Sequence, residues 1–309
     1  MENINTGFSI GILGGGLTGL TLAYLLKSKG ISCEIVEKNS DCGGLLRSLQ
    51  AGDFVFDTAG SHIIFSKDEQ ILKFILKLLE RNLGKQERNT KILYKDLFIK
   101  YPFENGLHDL PTIENYQCLY SFINTVLKRT NGSLVPPSNL REWLIYAFGN
   151  AIAEKYLLPY NEKIWKYPLD SISLEWVERV PMPTLDEVIK SSLGIKTEGY
   201  IHQLHFYYPL YGGIEALIKA LEVSARTEIS NNFNISRISI ENGRWLVSDG
   251  NNEKIYDKII STIPIVDLVY AIDAPEDIIN AANNLKYNSL VTIMLGVDVE
   301  QINTYSWLY

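Results

Sequence analysis

Between Ser9 and Lys38 the chain runs through a short apolar stretch, a cluster of glycines, a helix-length segment and a second apolar stretch that ends on an acid. This pattern predicts strand, turn, helix and strand. Phe54 to Asp57 reads as another short strand. From Asp68 to Leu83 the apolar residues Ile71, Leu72, Phe74, Ile75, Leu78 and Leu79 recur at helical spacing, with Gly84 as a stop. Thr90 to Tyr101 alternates instead, which predicts a hairpin around Lys95-Asp96. Thr112 to Ile189 is mainly helical, with breaks near Asn131-Gly132 and Pro136-Pro137. A strand at Phe206-Pro209, a helix over Ile214–Val223, and strands within Ile229–Val247 and Lys254–Ser261 follow, around turns at Asn242-Gly243 and Asp249-Gly250. The expected organisation is an α/β domain over 1–88 that resumes over 212–267. A mainly helical region, 89–211, interrupts it, and a further small antiparallel sheet occupies 268–309.

The glycine cluster carries the first chemistry. Gly14, Gly16 and Gly19 supply G-x-G-x-x-G between a strand and a helix, and Glu37 closes the second strand at roughly the 20-residue distance a ribose contact needs. Gly14 permits the tight turn, Gly16 lets a pyrophosphate approach the backbone, and Gly19 lets the helix lie on the strand. The helix N-terminus offers unpaired N–H groups and a positive dipole end to phosphates. The fold class predicted is α/β with a Rossmann-like dinucleotide domain.

Composition narrows the partners. In 309 residues, hydrophobic side chains make up 46% and charged ones 21%, and the net charge is −7 without any basic block. Nucleic acid is therefore not expected as a partner, because phosphate backbones call for clustered Lys and Arg. The longest uncharged run, Asn3 to Leu26, is rich in glycine and starts with polar residues, so it predicts a buried strand and helix rather than a membrane span or leader. Cys33, Cys42 and Cys118 show neither metal-ligand spacing nor a disulfide framework. No metal is expected, and a cytoplasmic location is the expectation.

In this order the pieces resemble the FAD-binding superfamily of amine oxidases, protoporphyrinogen oxidases and UDP-galactopyranose mutases. The glycine motif, Glu37-Lys38, Gly43-Gly44 and Arg47 look like its N-terminal flavin signature. The likeness implies FAD held by Gly14, Gly16, Thr18, Gly19, Glu37, Lys38, Gly43 and Gly44, with Arg47 facing the phosphates. Gly60-Ser61-His62-Ile63-Ile64-Phe65 is similar to the loop of eukaryotic-type UDP-galactopyranose mutases whose histidine lies against the flavin. Tyr101-Pro102-Phe103-Glu104-Asn105 looks like their uracil-site segment, with Glu104 where they carry glutamine. Pro159-Tyr160-Asn161-Glu162-Lys163-Ile164-Trp165 and Glu178-Arg179-Val180 match two further elements, and Phe206 to Gly213 a stretch shared across the superfamily. Ile235 falls on the strand that usually meets adenine through its backbone. Ser261-Thr262-Ile263-Pro264 is similar to a strand end near the cofactor, and Ser306-Trp307-Leu308-Tyr309 to a segment whose tyrosine contacts the substrate diphosphate.

The resemblance implies a cofactor, FAD, used in reduced form with NAD(P)H able to serve as reductant. It implies interconversion of UDP-galactopyranose and UDP-galactofuranose through the flavin N5, in cell-envelope polysaccharide biosynthesis. Gly60, Ser61, His62 and Ile235 join the cofactor set. Phe103, Asn105, Asn161, Trp165, Arg179 and Tyr309 form the substrate set, with His62 and Arg179 nearest the chemistry. Phe103 and Trp165 read equally well as core aromatics. Relatives continue past the point matching Tyr309, so the chain resembles a C-terminally truncated form. A homo-oligomer and a separate C-terminal segment both stay open as partners. Two other functions stay open: a flavin oxidase or desaturase, and a non-catalytic dinucleotide-binding subunit.

Overall fold

The computed structural model describes residues 8–180, 182–195, 205–300 and 302–309, apart from the side chains of Trp176, Glu178 and Arg179. The chain divides into two compact units, one of residues 1–86 with 206–297 and the other of 87–205 with 298–309.

The first unit is built on a parallel sheet. β1 (Ile10–Leu13) pairs with β2 (Glu34–Val36), and α1 (Leu17–Ser28) connects them. After the hairpin β3 (Ser48–Ala51) and β4 (Phe54–Asp57) comes α2 (Glu69–Leu79), capped by the Asp68 carboxylate. The chain leaves the unit and re-enters with α3 (Glu215–Ala225) and β5 (Glu228–Ser230), which adds beside β2 in parallel. An antiparallel meander follows, β6 (Arg237–Glu241), β7 (Arg244–Ser248) and β8 (Glu253–Tyr256). Finally β9 (Lys258–Ser261) pairs with the free edge of β1, giving the order β9-β1-β2-β5.

Every residue of β1 is buried, as expected of a strand covered on both faces. Ile12 and Ile35 point to one side, against Leu20 and Ala23 of α1 and Leu217, Ile218 and Leu221 of α3. Leu13 and Val36 point to the other, against Ile238, Val247 and Tyr256 of the meander. Gly11 allows this second contact. A Cβ there would lie 2.6 Å from the Tyr256 ring, and the Tyr256 hydroxyl donates to Glu34 at 2.7 Å. The returning chain is tied to the hairpin by Asp57. Its carboxylate accepts from the Ser48 hydroxyl, the Ile214 N–H and the Tyr208 hydroxyl at 2.8, 3.1 and 2.9 Å.

The second unit combines helices Thr112–Thr130, Leu140–Phe148, Leu158–Trp165 and Leu185–Ser192 with the hairpin Thr90–Tyr94/Leu97–Lys100. The turn residues Lys95 and Asp96 both have positive φ, 47° and 64°, as a two-residue hairpin turn requires. Trp307–Leu308 adds in parallel to Thr90–Lys91. Phe103, Phe122, Leu140 and Phe148 centre its core.

One expectation is corrected. A sheet was expected over 268–309, but Ile265–Ala271 and Glu276–Asn283 are helices, residues up to 297 cluster with the first unit, and among the described residues the one strand in the stretch is Trp307–Leu308. Pro264 and Pro275 stand immediately before the two helices, where a missing N–H costs nothing. Among the described residues no helix is long and apolar enough to cross a membrane.

Candidate functional site

A cavity of about 1130 Å³ opens at the carboxyl ends of β1 and β2, where ligands of open α/β sheets bind. Its floor is two glycine turns laid against each other. Gly14 leaves β1 at φ +104° and donates to the Val36 carbonyl. The Gly43 N–H donates to the Gly15 carbonyl at 2.9 Å, and Gly16 and Gly43 form a parallel bridge. Gly43 and Gly44 themselves have φ of +138° and +58°. A Cβ on Gly16 would meet nothing nearer than the Gly44 Cα at 3.9 Å, so the space above Gly16 belongs to the cavity. Gly19 lies below the floor and is tight for a different reason: a Cβ there would sit 2.0 Å from the Gly14 carbonyl oxygen.

α1 starts at Gly16 without any side-chain cap, which leaves its first-turn N–H groups aimed at the cavity. Thr262 braces the turn from the opposite strand end, its hydroxyl lying 2.9 Å from the Leu13 carbonyl and 3.1 Å from that of Gly14. Glu37 is buried at the end of β2. One of its oxygens accepts the Gly15 N–H at 2.8 Å, the other the Asn39 backbone and side-chain N–H at 2.9 and 2.7 Å. An ionised carboxylate has room for about four such bonds, so Glu37 holds the glycine turn and keeps capacity for a ligand hydroxyl. Cys42 packs against Gly15, and burial pushes its thiol up to about 12, with Glu222 and Glu37 adding to the shift. Cys42 is therefore an inert wall at neutral pH.

Of the expected cofactor residues, Gly14, Gly16, Thr18, Glu37, Lys38, Gly43, Gly44, His62 and Ile235 line this cavity. The Nδ1 atom of His62 is buried and has no hydrogen-bond partner among the described residues. Four residues stand elsewhere. Gly19 packs α1 onto β1. Gly60 makes the turn after β4, with its N–H 3.3 Å from the Asp57 carbonyl, and Ser61 follows it on the exposed side. Arg47, expected to face phosphates, instead donates from its guanidinium to the Asp41 carbonyl and closes the Asp41–Arg47 turn. Asn39, Phe233, Asn234, Asp267 and Tyr270 also line the cavity and were not expected from the sequence. Asn39 was discoverable as a polar residue just past the strand-ending acid. Asp267 and Tyr270, on the helix after Pro264, carry no local signal.

The expected substrate residues belong to the second unit. Asn161 and Trp165 are one turn apart on Leu158–Trp165, and the indole N–H donates to the Asn161 carbonyl at 3.3 Å. The other end of the Asn161 amide donates to the Leu157 carbonyl. The Tyr309 ring lies 5.2 Å from that of Tyr101 and stands edge-on to Tyr160 at 5.6 Å. Tyr160 stacks in turn on Tyr156. Burial pushes the Tyr101 hydroxyl up to about 12, helped by the neighbouring Tyr309, and raises Tyr160 further for the same reasons, so both remain O–H donors at neutral pH. Arg88, which sequence reasoning missed, lies 4.9 Å over Tyr101 and 5.2 Å over Trp307. Phe103 resolves to a core aromatic: it is fully buried and stacks 4.9 Å from Tyr156, so it offers no free face. Asn105 is buried too, with its side-chain oxygen unpartnered among the described residues. Arg179 ends the short 3-10 turn Leu174–Arg179, and its side chain lies outside the described residues.

The donor set suits a dinucleotide. Open glycines and an uncapped helix start fit a pyrophosphate, Glu37 a ribose, and the unpartnered His62 nitrogen a polar group of the ligand. The volume exceeds the 300–1,000 Å³ usual for small-ligand pockets.

Comparison with known proteins agrees with this geometry. The NAD(P)-binding Rossmann-like domain family matches residues 12–78. The UDP-galactopyranose mutase of Mycoplasma pneumoniae (strain ATCC 29342 / M129 / Subtype 1) is 24% identical over 186 residues, covering 56% of this chain and 44% of that protein. A crystal structure of reduced UDP-galactopyranose mutase superposes with a TM-score of 0.80 at 27% identity, over 90% of this chain and 61% of that one. A protein named as a protoporphyrinogen oxidase from Exiguobacterium sp. 255-15 shares the fold at a TM-score of 0.63 and 21% identity, over 85% of this chain and 61% of that one. The chain thus spans under half the length of the mycoplasma relative it matches. These matches and the glycine-floored cavity together support a likeness to the superfamily that holds amine oxidases, protoporphyrinogen oxidases and UDP-galactopyranose mutases.

Proposed function

We propose that this chain is a flavoprotein of the mutase type, binding FAD and acting on a nucleotide sugar, with UDP-galactopyranose as substrate. The observation that carries the reading is the cavity floored by Gly14–Gly16 and Gly43–Gly44, in a fold that superposes on reduced UDP-galactopyranose mutase at a TM-score of 0.80. Gly16, Gly44 and the first turn of α1 would take the pyrophosphate, Glu37 a ribose hydroxyl, and the chain near Ile235 the adenine. His62 would satisfy its buried nitrogen on the cofactor. When bound and reduced, a flavin would supply the nucleophilic nitrogen. The remaining work is to orient the sugar, exclude water and steady the leaving diphosphate. Tyr101, Tyr160 and Tyr309 offer aromatic faces and hydroxyl donors for that purpose. Arg179 is proposed for the diphosphate on its place in the sequence alone.

The test is stepwise. Protein reconstituted with FAD should acquire bound flavin absorbance. After reduction it should bind UDP and interconvert the pyranose and furanose forms of UDP-galactose. Tyr309→Phe should weaken UDP roughly three- to tenfold, the value of one lost hydrogen bond. Tight binding of NAD with none of FAD would sink the cofactor assignment. FAD binding without UDP binding would sink the mutase reading and favour an oxidase, in line with the fold shared with the oxidase-named protein.

A further inference from the structure

The first turn of α1 suits a pyrophosphate and Glu37 a ribose, so the base of a dinucleotide falls beyond the end of β2. The cavity has two walls there. One is the chain Phe233–Ser236, which runs on from β5. The other is the helix Ile265–Ala271, which presents Asp267, Tyr270 and Ala271 at i, i+3 and i+4, a single helical face. Ala271 shares an apolar cluster with Phe233, and Ile235 and Leu268 pack against the same cluster, so the two walls are neighbours. The Tyr270 hydroxyl donates to the Asn283 side-chain oxygen at 2.9 Å, which ties the ring to the next helix, Glu276–Asn283. Charge enters the lining through Glu37, Lys38 and Asp267. Glu37 is committed to the glycine turn and Asn39. Asp267 makes neither a hydrogen bond nor an ion pair among the described residues. An acid in the first turn of a helix suits its dipole. That role is met anywhere around the turn and does not call for a place in the cavity wall.

We propose, on the footing that the cavity holds FAD, that Asp267 selects the base: its carboxylate accepts a hydrogen bond from the 6-amino group of adenine while the ring lies between Tyr270 and Ile235. An ionised carboxylate only accepts, so it favours a base edge that donates. Adenine offers its exocyclic amine. Hypoxanthine, otherwise the same purine, carries a carbonyl oxygen in that place. The carboxylate would then meet acceptor with acceptor, and both groups would lose the hydrogen bonds that water gave them. Tyr270 and Ile235 offer apolar faces that hold either purine alike, because every base has a face to stack. Affinity for the base therefore comes from the ring of Tyr270, and the choice of base from Asp267.

Fluorescence titration of the flavin-free chain with FAD, and with the hypoxanthine dinucleotide made from it by deamination, tests this. Wild type should bind FAD at least roughly tenfold more tightly than the hypoxanthine form. Asp267→Asn, whose amide both donates and accepts, should bring the two within about threefold of each other. It should leave the melting temperature of the flavin-free chain unchanged. Tyr270→Ala should weaken both ligands alike, by roughly tenfold, since stacking ignores the 6-substituent. Equal binding of the two ligands by wild type, or a preference for FAD that survives Asp267→Asn, overturns the role of Asp267 and leaves the cofactor assignment standing. Affinities untouched by Tyr270→Ala overturn the placement of the base. If wild type binds neither dinucleotide, the cofactor assignment falls and the role of Asp267 falls with it.

Discussion

Gly16 and Gly19 sit three positions apart in one motif and are small for different reasons. Above Gly16 the space is open to the cavity, while at Gly19 an added methyl would collide with the Gly14 carbonyl at 2.0 Å. Gly16 has φ −74°, which any residue can adopt. Gly16→Ala is therefore expected to keep its melting temperature within a degree or two, yet lose at least tenfold in FAD affinity, about 1.4 kcal/mol, because the methyl occupies ligand space. Gly19→Ala should cost about 1–3 kcal/mol of stability even without ligand, since helix and strand must part to admit it. Thermal unfolding and flavin titration of both variants check the contrast. Equal destabilisation by the two would show that Gly16 is a packing residue after all.

At the scale of elements, Glu114 fastens the hairpin Thr90–Tyr94/Leu97–Lys100 to the helix Thr112–Thr130. Hydrogen bonds from Lys95 and Tyr94, with Lys155 close by, hold its carboxyl down at about 2 against an ordinary 4.5. A folded-state value below the unfolded one contributes stability above about pH 4.5, and this is lost as pH falls towards 2. Solvent screens part of this at a partly exposed carboxyl, so Glu114→Gln should cost about 1 kcal/mol at pH 7. The gap from wild type should close between pH 5 and pH 2, as followed by urea unfolding across that range. A gap independent of pH would mean that Glu114 acts through packing and not through its charge.

For the molecule as a whole, the surface of the first unit carries an unusual apolar run outside any strand. From Leu290 to Val297 the chain alternates, with Thr292 and Met294 half-buried while Val291, Ile293 and Leu295 are largely exposed. The run holds no charge and no proline. Extended segments of this kind pair with other chains unless something covers or charges them. Ile293→Lys is therefore expected to lower aggregation several-fold in light scattering during incubation at moderate temperature, without loss of melting temperature. A drop in melting temperature would show that Ile293 packs inward in solution.

The sequence by itself determined the α/β class, the glycine turn and its acid, the helix over Glu69–Leu79 and the hairpin at Lys95-Asp96, because each depends on residues close together in the chain. The core of the cavity was legible for the same reason: Gly14, Gly16, Glu37, Gly43 and Gly44 lie within one strand–helix–strand unit and the turn that follows it. Only the tertiary structure decided which side chains the returning chain would add. Phe233, Asp267 and Tyr270 come from some two hundred residues further on and reach the cavity through the pairing of β9 with β1 and β5 with β2. It also decided against two local readings. The Arg47 guanidinium donates to the Asp41 carbonyl, and Phe103 has Tyr156 to stack on. A charged or aromatic residue in a motif announces its chemistry, but the partner it meets is set by packing between segments that the linear order keeps far apart.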